Sequence, residues 1–243
     1  RAKTGKTALI DPANMSAEIA NIPAGGGGSD DVESVVLTGN CDWSCAGPLA
    51  GAFMEAFPTK VSTQAITSAK DMFKNNTARK IPFDINFTNQ MNLSYLFANM
   101  PNLTEIPKIS DVTPYNFERI FENCQKIQHL PEDLGASWNW SRVDTATSAY
   151  AANQSGIFYS CKSLRNIPRA LISHGNPVVN PSYSYFMSGF YNCYALDELA
   201  DLPIPYTATF TSNAFSSTFS GCNRLKRLTF ASENGAPKVV SWK

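Results

Sequence analysis

Residues 121–131 read Phe-Glu-Asn-Cys-Gln-Lys-Ile-Gln-His-Leu-Pro, and the same pattern of an aromatic anchor, a small residue and two apolar residues returns along most of the chain. Self-similarity at a period of some tens of residues is typical of stacked repeat arrays. The repeats therefore predict a solenoid made from one reused unit, with longer spacings where residues are inserted. The anchors are Phe73, Phe97, Phe121, Phe158, Phe190 and Phe219.

The position three residues after the anchor is cysteine in four of the six units. In a stack, equivalent positions of neighbouring coils lie next to one another, so a small and easily buried side chain suits this place. Asn76 and Met100 occupy it in the first two units, and neither could take part in a disulfide or a metal site. We therefore expect reduced thiols in the core. They belong to Cys124, Cys161, Cys193 and Cys222.

The residues on either side of the anchor predict one helical turn and one short strand in each unit. Leu93 and Phe97 are four residues apart, a spacing that brings two side chains to one face of a helix. The apolar residues six and nine positions after the anchor predict a short extended segment, which a following proline such as Pro131 ends. The fold class that follows is an α/β repeat solenoid, in which the anchor rings form an internal ladder.

Residues 1–23 predict a separate N-terminal segment. Asp11 suits a helix N-cap and Pro12 the first helical position, while Met15, Ile19 and Ile22 follow at helical spacing. Such a helix is too short to be stable alone, so we expect it to dock or to oligomerise. Its apolar stripe would cover a sister chain or a preceding part of the polypeptide, and packing on its own repeat domain is the alternative.

The glycine run within residues 24–32 predicts a flexible linker. The stretch Lys3–Thr7 resembles the end of a phosphate-binding loop but lacks the first glycine of that motif, so we do not assign a nucleotide site there. We expect the domains to be 1–23, the linker 24–32, a cap with entry to the first repeat over 33–72, and the repeat domain 73–243.

The cap region has an apolar, alternating stretch in which Val35–Leu37 predicts a strand. Cys41 and Cys45 follow, four residues apart. They could form half of a zinc site, but no second pair with matching spacing follows. We favour a capping element that closes the end of the stack.

The residues inserted between later units are rich in aromatic side chains. Insertions in solenoids project as loops, and loops carry binding function more often than the scaffold does. Aromatic rings flanked by Ser, Thr and Asn suit sugar rings or protein surfaces. The alternative is that these rings only hold the loops on the solenoid. The candidate ligand-binding residues are Trp138, Trp140, Tyr183, Tyr185 and Tyr206.

Composition excludes several classes of function. The chain has 20 basic and 20 acidic residues, so no net charge favours nucleic acid or an anionic membrane. No stretch has the roughly 20 apolar residues that span a bilayer, so no membrane insertion is expected. We expect the chain to be a piece of a longer protein. Glycosylation triplets at Asn92 and Asn102 fall inside repeats, where a glycan would obstruct stacking, so we interpret them as accidental.

No catalytic constellation emerges from the titratable residues. His129 lies within a repeat, and His174 lies in a Gly-Asn-Pro turn without a nucleophile motif. The acidic pairs Glu132–Asp133 and Asp197–Glu198 point to different sides of extended chain and suit solvated groups better than a hydrolytic pair. The prediction is that the protein is not an enzyme and needs no cofactor or metal.

The units at 97–107, 121–131, 158–168 and 219–228 resemble the BspA-like leucine-rich repeats of bacterial surface proteins and bacteriophage proteins. The resemblance covers roughly residues 60–230 and implies short strands and short helices. It carries no catalytic residues.

Other stretches are similar to bacteriophage tail or fibre proteins, especially those of phages of gut bacteria. These are the N-terminal residues 1–22 and the segments 174–177 and 194–207. Together the resemblances imply a virion structural protein that attaches to the host, with other virion proteins, a host glycan or protein, and sister copies as partners. A bacterial cell-surface adhesin with the same repeats is the alternative, and a fibre-borne glycan hydrolase is the least favoured.

Overall fold

The computed structural model describes residues 6–10, 32–37, 41–42, 60–61, 66–81, 83–87, 90–140, 156–172, 188–202, 216–230 and 238–241. The strands are short, and one helix of four residues is described. The elements are β1 Lys6–Ile10, β2 Val32–Leu37, β3 Cys41–Asp42, β4 Lys60–Val61, β5 Ile66–Ser68, β6 Ile85–Asn86, β7 Gln90–Asn92, β8 Ile109–Ser110, β9 Thr113–Asn116, α1 Arg169–Ile172, β10 Glu198–Leu202, β11 Arg227–Phe230 and β12 Lys238–Ser241.

The first sheet joins the N-terminal segment to the cap. β1 pairs in parallel with β2, and β2 pairs in parallel with β4. The sequence predicted the strand within β2 but not β1, because the apolar run of Lys6–Ile10 is too short to be assigned by its periodicity alone. Val32, placed at the end of the predicted linker, begins β2. The predicted helix after Asp11 and the glycine run lie outside the described residues.

The anchor rings of the six units stack on one another. The five contacts between successive rings have centroid distances of 5.6 to 5.8 Å and interplanar angles of 15° or less. Five of the rings are buried and Phe219, the last, is half-buried. Offset stacking of aromatic rings adds about 0.5–1.5 kcal/mol per pair beyond the burial of their area. The ladder is thus a continuous apolar axis through the repeats.

The turn that carries each anchor is not helical, which corrects the predicted helical turn. Tyr95 and Asn99 have φ angles of 58° and 56°, and the same two positions have positive φ in every unit. An α-helix cannot contain such left-handed residues. Leu96 N donates to Leu93 O at 3.1 Å and Ala98 N donates to Tyr95 O at 3.0 Å, so this segment is a pair of tight turns.

These turns leave every second amide free to bond the next coil. Tyr95, Phe97 and Asn99 donate their N–H groups to Glu118, Ile120 and Glu122 at 2.7 to 2.9 Å. In a helix, the same amides would donate to carbonyls four residues earlier in the same coil. Bonds between coils have replaced bonds within a helix, as in a parallel sheet. The corresponding donors in the other units are Asp71, Phe73, Asn75, Phe121, Asn123, Phe158, Ser160, Ser188, Phe190 and Asn192.

On the other side of the coil, hydrogen bonds between units run in the opposite direction. Thr104 N donates to Arg79 O at 2.9 Å, so the donor belongs to the later coil rather than the earlier one. Lys226 N donates to Asp197 O at 2.8 Å in the same sense. Parallel pairs β6–β8, β7–β9 and β10–β11 also connect successive units. Backbone hydrogen bonds therefore join successive coils on both sides of the stack.

Each cysteine thiol at the repeat position bonds the preceding coil. Cys124 Sγ donates to Phe97 O at 3.0 Å, and the other three thiols donate to the preceding anchor carbonyl at 3.0 to 3.2 Å. All four cysteines are free, and three of them are buried. The packing role that the sequence assigned to them is therefore supplemented by a hydrogen bond to a carbonyl inside the core.

The last described coil ends in a strand of reversed direction. β12 pairs with β11 in antiparallel fashion, with Leu228 opposite Val240. The pairs between repeats are parallel instead. β12 therefore occupies the strand edge to which another parallel coil would have to be added, and an occupied edge is protected from strand addition.

Candidate functional site

Two of the loop aromatics chosen from the sequence lie in the described part of the chain. Trp138 is 5% exposed, and its Nε1 donates to Ile109 O at 3.0 Å. Trp140 is half-buried, its ring is tilted by 35° against that of Trp138 at a centroid distance of 5.2 Å, and its Nε1 donates to Gly135 O at 2.9 Å. Trp138 therefore has neither surface nor polar atom available to a ligand, and the packing alternative applies to it. Tyr183, Tyr185 and Tyr206 lie outside the described residues.

A Trp138→Phe variant is expected to lose about 1–3 kcal/mol of unfolding free energy. The change removes the indole N–H and leaves the buried carbonyl of Ile109 without that donor. Urea unfolding followed by tyrosine and tryptophan fluorescence would measure the loss. Trp140→Phe is the matched control, because it removes the same kind of bond at a more exposed site and should cost less. Equal stability of the Trp138 variant and the parent chain would contradict the packing role.

The residues that follow the three insertions in the sequence lie at neighbouring places in the stack. These return points are Gly156, Ser188 and Ser216, two or three residues before an anchor. Ser188 N donates to Ser216 O at 2.9 Å, so the second and third return points touch. Phe158 N donates to Gly189 O at 2.9 Å, which places the first return point beside the second. The return points therefore share one edge of coils four to six.

The surface beside these return points carries a row of aromatic and charged side chains. The Tyr159 and Tyr191 rings stack at 4.8 Å with an interplanar angle of 12°. The Arg119 guanidinium lies 5.2 Å from the centroid of Tyr159 and pairs with Glu122 at 2.8 Å. The sequence prediction missed this row because it treated the repeat itself as scaffold. The signal was a tyrosine directly after the anchor in two successive units.

A similar contact marks the first two coils. The Lys74 ammonium lies 4.5 Å from the centroid of the Tyr95 ring and pairs with Asp71 at 3.0 Å. Burial raises the pKa of the Tyr95 hydroxyl, and the nearby Glu118 carboxylate raises it further. The Tyr95 hydroxyl therefore stays protonated through the ordinary pH range, and the Tyr95 ring serves as the contact surface for the Lys74 ammonium.

Asparagine side chains form a second surface row. Asn99 Nδ2 donates to Asn75 Oδ1 at 3.1 Å, and Asn123 Nδ2 donates to Asn99 Oδ1 at 2.7 Å. All three residues have positive φ, a region in which asparagine is enriched. Gly221 takes this position in the last unit, where a Cβ would overlap Asn192 Oδ1. The asparagines two residues after the anchor were thus the sequence signal for the tight turn.

The glycosylation triplets at Asn92 and Asn102 have asparagine side chains with structural roles. Asn92 Oδ1 accepts from Ser94 N at 3.0 Å and from Ser94 Oγ at 2.7 Å, which fixes the start of the anchor turn. Asn102 Nδ2 donates to Thr77 O at 3.3 Å, and its Oδ1 accepts from Lys126 Nζ at 2.8 Å. Both side chains connect positions within the repeat stack, which accounts for their presence without a glycan.

The titratable residues considered for catalysis are dispersed. His129 is exposed, and Asp197 forms an exposed ion pair with Arg224 at 3.1 Å. His174 lies outside the described residues. Within the part of the chain that the structure describes, no group of three or more His, Cys, Asp and Glu side chains could hold a metal ion. A helix long and apolar enough to cross a membrane is likewise not found among the described residues.

The buried thiols are the most strongly perturbed acids. Burial raises the pKa of the Cys124 thiol from an ordinary 9.0 to about 12, and that of the Cys222 thiol to about 11. Burial also raises the pKa of Cys161 and of Cys193. The thiolate is the reactive form of cysteine, so these side chains are poor nucleophiles in the folded protein.

Native-state alkylation should distinguish the four thiols. We expect Cys124, Cys161 and Cys193 to resist iodoacetamide in the folded chain and to react once urea unfolds it, because each is buried and protonated. Cys222 is half-buried and should react first. Peptide mass spectrometry at successive times would follow each site. Rapid labelling of Cys161 in the native chain would show that its coil interface is open.

Comparison with known proteins identifies no relative. No family model matches the chain, no curated protein matches it, and no solved structure matches it.

Proposed function

We propose that this chain is a structural protein of a bacteriophage virion, a tail or fibre component, and that it recognises the host surface through loops held on a repeat scaffold. The repeat region is proposed to be an α/β solenoid of BspA-like leucine-rich repeats. Its partners would be other virion proteins, sister copies joined through the N-terminal segment 1–23, and a host surface glycan or protein. The proposed location is the virion.

The observation that carries the proposal is the use of the repeat as a scaffold. The anchor rings of all six units and the thiols of the last four make contacts between coils, and the residues that follow the insertions share one edge. A scaffold interrupted by inserted loops suits recognition better than chemistry. The likeness of the repeats to phage proteins, and of residues 1–22 to tail proteins, supports the virion assignment.

The same repeats occur in bacterial surface proteins, so a cell-surface adhesin is the second candidate. Quantitative mass spectrometry separates the two. We expect peptides of the stretch 97–131 in purified virions, at a constant ratio to a known tail protein across gradient fractions. Their absence from virions would reject the virion role, and their recovery from the surface of uninfected bacteria would establish the adhesin.

A binding experiment tests the recognition role. The purified chain should bind host cells, and Tyr183→Ala and Tyr206→Ala should weaken that binding because they shorten loop aromatics. Trp138→Phe is the matched control, since it alters a buried aromatic and should leave the bound fraction unchanged. Equal binding by all three variants and the parent chain would remove these loops from the recognition surface.

A further inference from the structure

Among the described residues, the row of side chains on coils three to six ends at the ring of Tyr191. Arg119 covers one face of Tyr159, and Tyr191 stacks on the other face at 4.8 Å. The next unit has Ser220 at the position of the tyrosines, and Asn192 N donates to Ser220 O at 2.8 Å, so this serine lies directly beside the row. A serine side chain is too small to continue the stack.

No other described residue stacks a ring on the second face of Tyr191. Tyr191 is half-buried, and its stacking on Tyr159 is the ring contact it makes in the part of the chain that the structure describes. Ser188 precedes it by three residues in the same coil, and Ser217 and Ser220 are exposed on the next coil. The site thus combines one apolar ring face with hydroxyl groups that can donate and accept hydrogen bonds.

We propose that the outer face of Tyr191 is a binding platform for one neutral pyranose ring, whose apolar face stacks on the tyrosine while its hydroxyls meet the serines. A neutral ligand is favoured by the charges nearby. Arg119 lies beyond Tyr159 and is paired with Glu122 at 2.8 Å and with Glu118 at 3.7 Å. Neither a free cation nor a free carboxylate therefore reaches the outer face of Tyr191 from this row.

The choice of a sugar deepens the proposed host-surface role and rests on it. The platform lies beside the return points of the insertions, since Ser188 and Ser216 bond each other three residues before Tyr191 and Phe219. A single stacked ring with a few hydroxyl contacts gives weak binding, which repeated copies on one particle would strengthen through avidity.

Saturation-transfer NMR on the full chain tests the platform with two probes. Methyl β-galactopyranoside represents the neutral hexoses of surface polysaccharides, and N,N′-diacetylchitobiose represents the amino sugars of cell walls. We expect saturation of the protein aromatics to reach the ring protons on the apolar face of at least one probe. Transfer to the hexoside alone assigns a surface polysaccharide, and transfer to the amino sugar alone assigns a wall glycan.

Two variants locate the binding. Tyr191→Ala should weaken the affinity by about tenfold, the loss expected for one well-stacked aromatic contact. Ser220→Leu should abolish binding, because an aliphatic side chain would cover the outer face of Tyr191 without offering a new ring, and its urea midpoint should not fall. Tyr95→Ala is the matched control, because this tyrosine lies on the same turn side but is covered by Lys74.

Two results of the saturation-transfer experiment would overturn the proposal. Failure of both probes to receive saturation, or transfer that persists undiminished in Ser220→Leu, rejects the platform. If Tyr191→Ala does not fold, Ser220→Leu decides the question. If the chain is present in virions but binds neither sugar, the platform is rejected and the virion role stands. If the chain binds a sugar but is absent from virions, the virion role is rejected and the platform stands.

Discussion

Replacing Phe121 with alanine is expected to lower the free energy of unfolding by about 3–5 kcal/mol, the range found for large buried aromatics. Phe121 is 1% exposed and stacks on Phe97 at 5.6 Å and on Phe158 at 5.8 Å. The variant loses two ring contacts at once and leaves a cavity in the middle of the ladder. Since each coil touches only its neighbours, the damage should spread to the coils on both sides.

Urea unfolding, with hydrogen exchange to locate the damage, measures this effect. Amides that bond across the coil, such as Phe97 N and Asn123 N, should lose protection first. Phe219→Ala is the matched control, because this half-buried ring stacks on Phe190 alone and ends the ladder. Similar losses in the two variants would contradict a larger contribution from a ring that is buried and stacked on both faces.

Alkaline pH should destabilise the fold sharply. Cys124, Cys161 and Cys193 are buried and have a pKa raised above the ordinary 9.0. The folded state then keeps protons that the unfolded state loses, so unfolding becomes more favourable as pH rises above 9. The stability due to these protons is complete below pH 9 and declines up to the folded pKa, about 12 for Cys124.

At pH 10 each of these thiols should cost on the order of 1 kcal/mol relative to neutral pH, and the three together a few times that. Urea unfolding at pH 7.5 and pH 10 in the presence of a reductant gives the difference. Cys193→Ala should reduce that difference by about a third, whatever it costs at neutral pH. A pH effect of the same size in this variant would assign the alkaline transition to other groups.

The repeat position of each residue could be predicted from the sequence, because its distance along the chain from the anchor phenylalanine fixes that position. Placing Cys124, Cys161 and Cys193 at one repeat position required only counting from the anchors, and their thiols occupy matching places against the preceding coil. The local conformation could not be predicted in the same way. Leu93 and Phe97 are four residues apart both in a helix and in two successive tight turns, so their spacing does not distinguish the two.

The candidate site was harder to predict than the fold. Trp138 looked like a loop aromatic, but its burial depends on Ile109, a residue 29 positions away in the sequence. Tyr159 and Tyr191 looked like ordinary repeat residues, and only the stacking of coils brings their rings together with Arg119. Recognition surfaces on repeats arise from neighbours between coils, which a single unit does not reveal.

The opposed hydrogen bonds of the two sides give the stack a particular electrostatic character. Phe97 N donates forward to the next coil, while Thr104 N donates back to the previous coil. Three amides of an anchor turn donate forward for each amide of the other side that donates back, so the peptide dipoles do not cancel along the stack. A stack that lost its last coil would leave the N–H groups of Ser188, Phe190 and Asn192 without those acceptors, so the end of the stack has a polarity set by its backbone.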